Sequence, residues 1–402
     1  MSTALRRLAM FLEAWPKMDI RKTTSKLLLL SLSILLGAFA CGPKEKVVRI
    51  AVAVPLTGDM GTEGQGLRRA VEMAVEEANA AKRFPYKLEA APFDDRADPK
   101  EAVNVANLIV SDQRILAVIG HYNSSCAVPA AKVYARAPVA MISPAATNPE
   151  VTRQQLSADW SGPKMIFRVV PTDDVQAPYA AKFAYEKLGK RKIALMHDKT
   201  TYGQGLAEEF KKTFLALGGK IVTEDGISVG DKDYKALLTR IKDAKPDGLY
   251  FGGLYTEAGL IVKQMRELGM KTPFFSGDGA KTPSLFDVAG DAAEGAYLTI
   301  VGVPVEQLPS AQKFMADYKK RWTGASEDIK PFDHFGYEAA QIIFDALDKS
   351  GPDNAKLIEE LRKTNHNGLL GTTTFDEKGD TLNKIITMTR AQAKDRTFPT
   401  AN

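Results

Sequence analysis

The 402-residue chain is 45% hydrophobic and 26% charged and has two cysteines. That balance excludes a disordered or fibrous protein, and the length suffices for two domains of ordinary size. Six basic and two acidic residues fall in the first 40 positions, so the formal net charge of +5 drops to 48 basic against 47 acidic, +1, over the remainder; nothing in that near-neutral balance calls for a nucleic-acid partner.

Lys26 is followed by LLLLSLSILLGAFA, 14 uncharged residues that end at Cys41. The run is too short to span a bilayer comfortably, and behind Arg21, Lys22 and Lys26 it has the pattern of a secretory signal. Residues 1–40 are therefore assigned as a signal peptide and 41–46 as a tether, with Met18 as an alternative start to Met1. Two processing routes stay open. Cys41 after small residues matches a bacterial lipoprotein signal, in which that Cys carries the lipid, although the usual Leu three positions earlier is absent. Ala38-Phe39-Ala40 is also a plain cleavage site that releases a soluble protein. The polar stretch 42–46 favours the lipid anchor, and both routes place the chain in the periplasm or cell envelope. With Cys41 lipidated, Cys126 stands alone and reads as a small buried residue rather than a reactive thiol.

Beyond the tether, residues 47–55 (VVRIAVAVP) form a buried-type strand, followed by a Gly-rich turn over 56–66 and an amphipathic helix over 67–79. A strand over 86–93 ends at Asp94-Asp95, Asp98-Pro99 opens a helix to about Ser111, and 115–119 is the next strand. Then comes a stretch in which a short apolar run twice breaks into small hydroxyl residues. Ala117–Gly120 gives way to Asn123, Ser124 and Ser125 before a helix over 127–135, and 139–142 gives way to Ser143, Thr147 and Asn148. Such turns at helix starts suit a small carboxylate, because first-turn N–H groups are unpaired and the dipole favours negative charge. Ser124 and Thr147 serving only as helix caps is the competing reading.

The same rhythm resumes after Phe167. Helices are expected over 176–187, 234–244 and 257–268, with a turn at 198–205 leading into a helix that ends near Leu217. Strands are expected at 193–196, 220–224, 248–251, 273–276 and 297–301. Helices over 314–321, 332–349 and 354–362 follow, and strands near 371–380 and 384–389 close the chain. Alternating strands and helices mean α/β units with parallel-type sheets flanked by helices, here in two similar lobes. Short connections between the lobes are hinge construction.

Catalytic and metal patterns do not emerge. His121, His197, His334 and His366 are dispersed, there is no H-E-x-x-H, G-x-S-x-G or P-loop pattern, and no cofactor is called for. A triad of His121, Ser124 and Asp94 fails on spacing, since residues three apart at a strand-to-helix turn point different ways. No enzyme is expected.

Six collinear blocks carry a family resemblance: 94–103 (DDRADPKEAV), 118–121 (VIGH), 141–150 (MISPAATNPE), 197–206 (HDKTTYGQGL), 289–295 (AGDAAEG) and 375–380 (FDEKGD). Over about 48–380 the chain resembles the leucine/isoleucine/valine-binding proteins, the type I periplasmic substrate-binding proteins of branched-chain amino-acid ABC transporters. The resemblance implies a Venus-flytrap of two lobes joined by three hinge crossovers, lobe 1 being 47–172 plus 301–376 and lobe 2 being 173–300 plus 377–402. It implies a monomer that captures a free amino acid in the cleft and delivers it to ABC transporter permease subunits. A ligand-sensing subunit using the same clamp, or a binding protein for a polar or basic amino acid, is the alternative.

By the same resemblance Ser124 and Thr147 hold the ligand carboxylate and the carbonyl of Ala145 accepts from the ammonium. Tyr202 closes over the ligand backbone. Asp278 stands where the family has a Glu that pairs with the ammonium; being one methylene shorter, it implies a deeper ligand or a bridging water. Phe332 aligns with a pocket aromatic, and Leu254 or Tyr255 falls where another is expected. Glu63 replaces a pocket Trp, and either it swings to solvent as a loop residue, the favoured reading, or it reads a polar or cationic ligand group. The family's disulfide positions correspond to Ala97 and Asn123, so that bridge is missing.

Overall fold

The computed structural model describes residues 46–324 and 328–401. The signal-peptide and Cys41 assignments lie outside them.

The first sheet contains β1 (Val47–Val54), β2 (Lys87–Asp94), β3 (Ile115–Gly120), β4 (Ala140–Ser143) and β5 (Ile166–Arg168), in the order β2-β1-β3-β4-β5. All its pairings are parallel; β1 meets β2 from Val47 opposite Lys87 to Val54 opposite Asp94. β3 and β4 are buried along their whole length, which is why they read as continuous apolar runs rather than alternating ones. Around this sheet lie α1 (Gly61–Ala80), α2 (Pro99–Ser111), α3 (Ser124–Arg136) and the short α4 (Glu150–Arg153). The Asp98 carboxylate caps α2 through the N–H groups of Lys100 and Glu101, and Pro99 occupies its first turn.

The chain then enters α5 (Asp173–Lys182) and builds a second sheet from β6 (Lys192–His197), β7 (Lys220–Gly226), β8 (Gly248–Gly252), β9 (Phe274–Ser276) and β10 (Tyr297–Val301). Interleaved are α6 (Thr201–Ala216), α7 (Lys235–Asp243), α8 (Tyr255–Glu267) and α9 (Ser284–Ala289). After β10 come α10 (Gln312–Arg321), α11 (Asp333–Ser350) and α12 (Asn354–Arg362), a hairpin of β11 (Asn365–Gly368) and β12 (Gly371–Thr374), and β13 (Ile386–Arg390). β13 returns to the second sheet and pairs antiparallel with β10, giving the order β13-β10-β9-β8-β6-β7. α11 lies beside α1: Arg83, just after α1, reaches Asp345 and Asp348 at 2.6 Å, and Phe84 meets Phe344 edge-on at 6.1 Å.

Helix starts differ from the sequence expectation: α3 and α5 begin earlier, at Ser124 and Asp173, and the two larger differences are at α1 and α6. The Gly-rich segment over 56–66 is not all turn, because α1 begins at Gly61. Its glycines serve close packing: a Cβ on Gly64 would lie 1.8 Å from the Pro55 carbonyl oxygen, and one on Gly66 would meet Asp333 and Lys330. Likewise the turn expected over 198–205 ends at Thr200, whose hydroxyl caps α6 by accepting from Gly203 N–H at 2.9 Å.

Both sheets have the doubly wound form in which strand order reverses beside the first strand, β1/β3 in one and β6/β8 in the other. In such sheets the loops at the carboxyl ends of those strands form a natural crevice. β1 leads to Glu63, β3 to Ser124, β6 to Tyr202, β8 to Leu254 and Tyr255, and β9 to Asp278.

Candidate functional site

Hydrogen bonds join these loops across the two sheets. The side-chain amide of Asn148 donates to the Thr201 carbonyl at 2.7 Å, and Thr201 N–H donates to Ser125 Oγ at 3.2 Å. The Tyr255 hydroxyl donates to the Asp59 carbonyl at 2.5 Å. Thr282 Oγ1 donates to Glu63 Oε1 at 2.6 Å.

On the first sheet's side, Ser124 is the first helical residue of α3 and is buried; its Oγ accepts Asn148 N–H at 3.2 Å. Asn123 occupies the cap position without a side-chain cap bond. Thr147 lies in the loop before α4, buried, with a hydroxyl that makes no close hydrogen bond and has the Asp173 carboxyl as its polar neighbour. Neither hydroxyl is a helix cap. Ala145 is buried in the same loop.

That loop is held by a residue the sequence reading passed over. Arg168, fully buried at the end of β5, donates to the carbonyls of Ala146, Asn148 and Pro149 at 3.1, 2.8 and 3.2 Å. It also pairs with Asp380 at 2.6 Å. Burial pushes the Asp380 carboxyl up, but the charge of Arg168 with the Thr152 hydroxyl and Lys378 more than offsets this and holds it below the usual range. The partners are 212 residues apart, and Arg168 in a short apolar strand carries no motif.

On the second sheet's side, Asp278 Oδ1 accepts from the Tyr202 hydroxyl and the Gln176 amide, both at 2.8 Å. Gln176 Oε1 accepts from Asp278 N–H at 3.0 Å and from Thr299 Oγ1 at 2.7 Å, so its orientation is fixed from both ends. The Tyr202 hydroxyl accepts Gly279 N–H at 2.9 Å. Burial raises the Asp278 carboxyl despite these donors. Asp173, fully buried at the start of α5, is pushed well above the ordinary range by burial and then by the nearby charge of Asp278. Its backbone N–H donates to the Thr147 carbonyl at 3.0 Å, which ties the second carboxyl to the hydroxyl loop. Asp173 and Gln176 were unmarked in the sequence because acidic and polar residues in a first helical turn are ordinary.

Glu63 departs from the favoured expectation. It lies on α1 rather than a loop, is 2% exposed, and accepts from Thr282 and, at 3.4 Å, from Ser284. Its second oxygen has no partner. Burial pushes the carboxyl up, opposed by the Thr282 bond and by the charge of Lys330. The helix start at Gly61 turns this side chain inward, so the solvated reading is wrong. Phe332 packs edge-on against Tyr122 at 5.3 Å, and both are buried. Leu254 and Tyr202 enclose Gly279, where a Cβ would come within 3 Å of either.

His121 is engaged elsewhere. Buried, it bonds Asp95 through Nδ1 at 2.7 Å and the Tyr134 hydroxyl through Nε2 at 2.9 Å, away from Ser124. Cys126 is a free, buried thiol. Among the described residues no group of three His, Cys, Asp or Glu side chains is placed to hold a metal ion, and no helix is long and apolar enough to cross a membrane.

The periplasmic binding protein profile matches residues 47–396. The leucine-, isoleucine-, valine-, threonine- and alanine-binding protein of Pseudomonas aeruginosa is 35% identical over 373 residues, covering 92% of this chain and 96% of that one. Leu/Ile/Val-binding protein homolog 2 of Brucella abortus is 35% identical over 336 residues, 83% of this chain and 87% of that one. Among solved structures, the leucine-binding protein LivK of Thermotoga maritima superposes with a TM-score of 0.79 at 30% identity, over 88% of this chain and 98% of that one. LivJ of Streptococcus pneumoniae, in complex with isoleucine, gives 0.77 at 25% identity, with the same coverage. With two parallel-type sheets, paired switch-point loops and these relatives, the chain belongs to the periplasmic binding protein family and has the type I, two-lobed fold.

Proposed function

We propose that the protein captures a free α-amino acid, branched-chain foremost, between its two lobes and delivers it to the permease of an ABC transporter, acting by capture without chemistry. The observation that carries this reading is the opposition of two unlike half-sites. One lobe presents buried hydroxyls on Ser124 and Thr147; the other presents the buried Asp278 carboxylate, fixed by Tyr202 and Gln176. Hydroxyls and a helix N-terminus suit a carboxylate, and an oriented buried carboxylate suits an ammonium. The Ala145 carbonyl adds an acceptor for the ammonium, and Tyr255, Leu254 and Phe332 wall the side chain. The relatives named for leucine, isoleucine and valine support the ligand class.

Closure follows from the division of contacts. A ligand docked on Ser124 and Thr147 gains Asp278 and Tyr202 only when the lobes meet, so its binding energy favours the closed state. The three passages between the lobes are proposed near 172/173, after β10 ends at Val301 rather than at 300/301, and after Asp380 rather than at 376/377, since Val301 still pairs with Ile386 in the second sheet and Asp380 with Arg168 of β5. Export through the signal peptide, a lipid on Cys41 and a monomeric state complete the proposal.

A polar or basic amino acid is the second reading, favoured by one observation: the buried, unpartnered second oxygen of Glu63. Differential scanning fluorimetry of the mature protein against the twenty common amino acids tests both. Stabilisation by leucine, isoleucine or valine supports the first reading, and stabilisation only by polar or basic members supports the second. A flat panel rejects the function.

A further inference from the structure

A cavity of about 380 Å³ lies between the end of β10, the segment that enters α11 and the C-terminal tail. Its walls are largely apolar, with Ile300, Val301, Val303, Phe335 and Phe398 among them, and it touches the proposed amino-acid site only at Asp278 and Phe332. Its size falls in the range of pockets for small organic molecules.

Three basic side chains in this lining have no direct ion pair or side-chain hydrogen bond among the described residues. Lys330 is buried and forms no direct ion pair with any described residue, although its charge acts on the buried carboxyls of Glu63 and Asp333. Lys281 is partly buried; it sits over the Phe398 ring at 5.5 Å and also forms no ion pair with any described residue. His334 is 3% exposed, and neither ring nitrogen has a hydrogen-bond partner. Burial, with the charge of Lys281 as a lesser cause, pushes its imidazole down to about 3, so at neutral pH it is uncharged and offers one N–H.

The other charged groups of the lining are accounted for. Arg396 is engaged by Asp287 and by the Pro283 carbonyl at 3.1 Å, Asp278 is held by Tyr202 and Gln176, and Glu306 is exposed. Two ammonium groups without a direct ion pair and an N–H without an acceptor, on one apolar chamber, are the complement of an organic anion. Buried cations are ordinarily paired, and an inorganic ion alone would leave the apolar walls unused.

We propose that this cavity is a carboxylate site: it takes an organic acid with an apolar body, whose carboxylate is held by Lys281 and Lys330 with the His334 N–H. Two sources share this chemistry, a free carboxylic acid or the acidic side chain of an amino acid whose ammonium rests on Asp278. The first does not require the proposed function to hold.

Isothermal titration calorimetry of the mature protein tests the proposal with hexanoate for the free acid, 2-aminoadipate for the side-chain carboxylate, and hexanamide and glutamine as uncharged controls. Lys281→Met and Lys281→Gln are measured beside the parent chain, so that one folded variant suffices. The expected result is that at least one of the two acids binds, at least tenfold weaker in the Lys281 variants, while the controls show no dependence on Lys281. Hexanoate binding identifies a free acid; binding of 2-aminoadipate alone identifies a side chain. If neither acid binds at millimolar concentration, or if both Lys281 variants bind as the parent does, the proposal is overturned. Hexanoate binding beside a flat amino-acid panel would reject the proposed function and leave this site standing.

Discussion

Thr282 and Glu63 are 219 residues apart in sequence, yet the Thr282 hydroxyl donates to the Glu63 carboxylate at 2.6 Å. The bond runs from the loop after β9 to the first turn of α1, so it spans the two sheets. It ties the acidic residue of the proposed side-chain pocket to the loop after β9.

The Glu63 carboxyl is raised by burial above its ordinary 4.5. A carboxyl raised in the fold contributes stability that is fully present below the unfolded value and is lost as pH rises through the folded one. Glu63→Gln is therefore expected to flatten the loss of thermal stability above pH 4.5, and to unfold at a higher temperature than the parent at pH 8. A scan of Tm against pH for both proteins checks this.

Asp333 offers a second titration with a defined window. Burial pushes its carboxyl to about 7 from an ordinary 3.8, so the stability it contributes is complete below about pH 4 and is lost on rising through about pH 7. Asp333→Asn removes that loss, a difference on the order of a few kcal/mol at pH 8. Urea unfolding at pH 5 and pH 8 measures it.

The Arg168–Asp380 pair fixes the loop that carries Thr147. Arg168→Met takes the guanidinium from the buried Asp380 carboxylate, leaving it only Lys378 at 3.3 Å and the Thr152 hydroxyl, and frees three carbonyls; it is expected to cost about 3 kcal/mol of stability. Arg168→Met combined with Asp380→Asn should cost less than the single Arg168 change, a non-additivity that a double-mutant cycle by denaturant unfolding reads directly.

Tyr202→Phe deletes a donor to Asp278 and an acceptor for Gly279 N–H. Bonds to charged groups are worth about 1.5–3 kcal/mol, so amino-acid affinity should fall by about ten- to a hundredfold. Calorimetric titration of the ligand found in the amino-acid panel gives the ratio.

What the sequence revealed follows from which signals are local. Apolar runs such as 115–120 and 140–143 are buried on both faces of a parallel sheet, so their composition alone marks them. The hydroxyl turns that follow were visible because Ser124 and Thr147 come directly after those strands. Glu63 was misread because three glycines in six residues look like a turn, whereas Gly64 is there to let α1 approach the Pro55 carbonyl. The partners that orient the site, Arg168 to Asp380, Gln176 to Asp278 and Thr282 to Glu63, are separated by 102 to 219 residues and leave no pattern along the chain.

The central claim is that Asp278 takes the ammonium of a free amino acid. Isothermal titration of the parent and of Asp278→Asn with the amino acid that most stabilises the mature protein tests it most directly. The account predicts binding to the parent and at least a hundredfold weaker binding to Asp278→Asn, while the variant remains folded by circular dichroism. Equal affinity of the two proteins for that amino acid would contradict it.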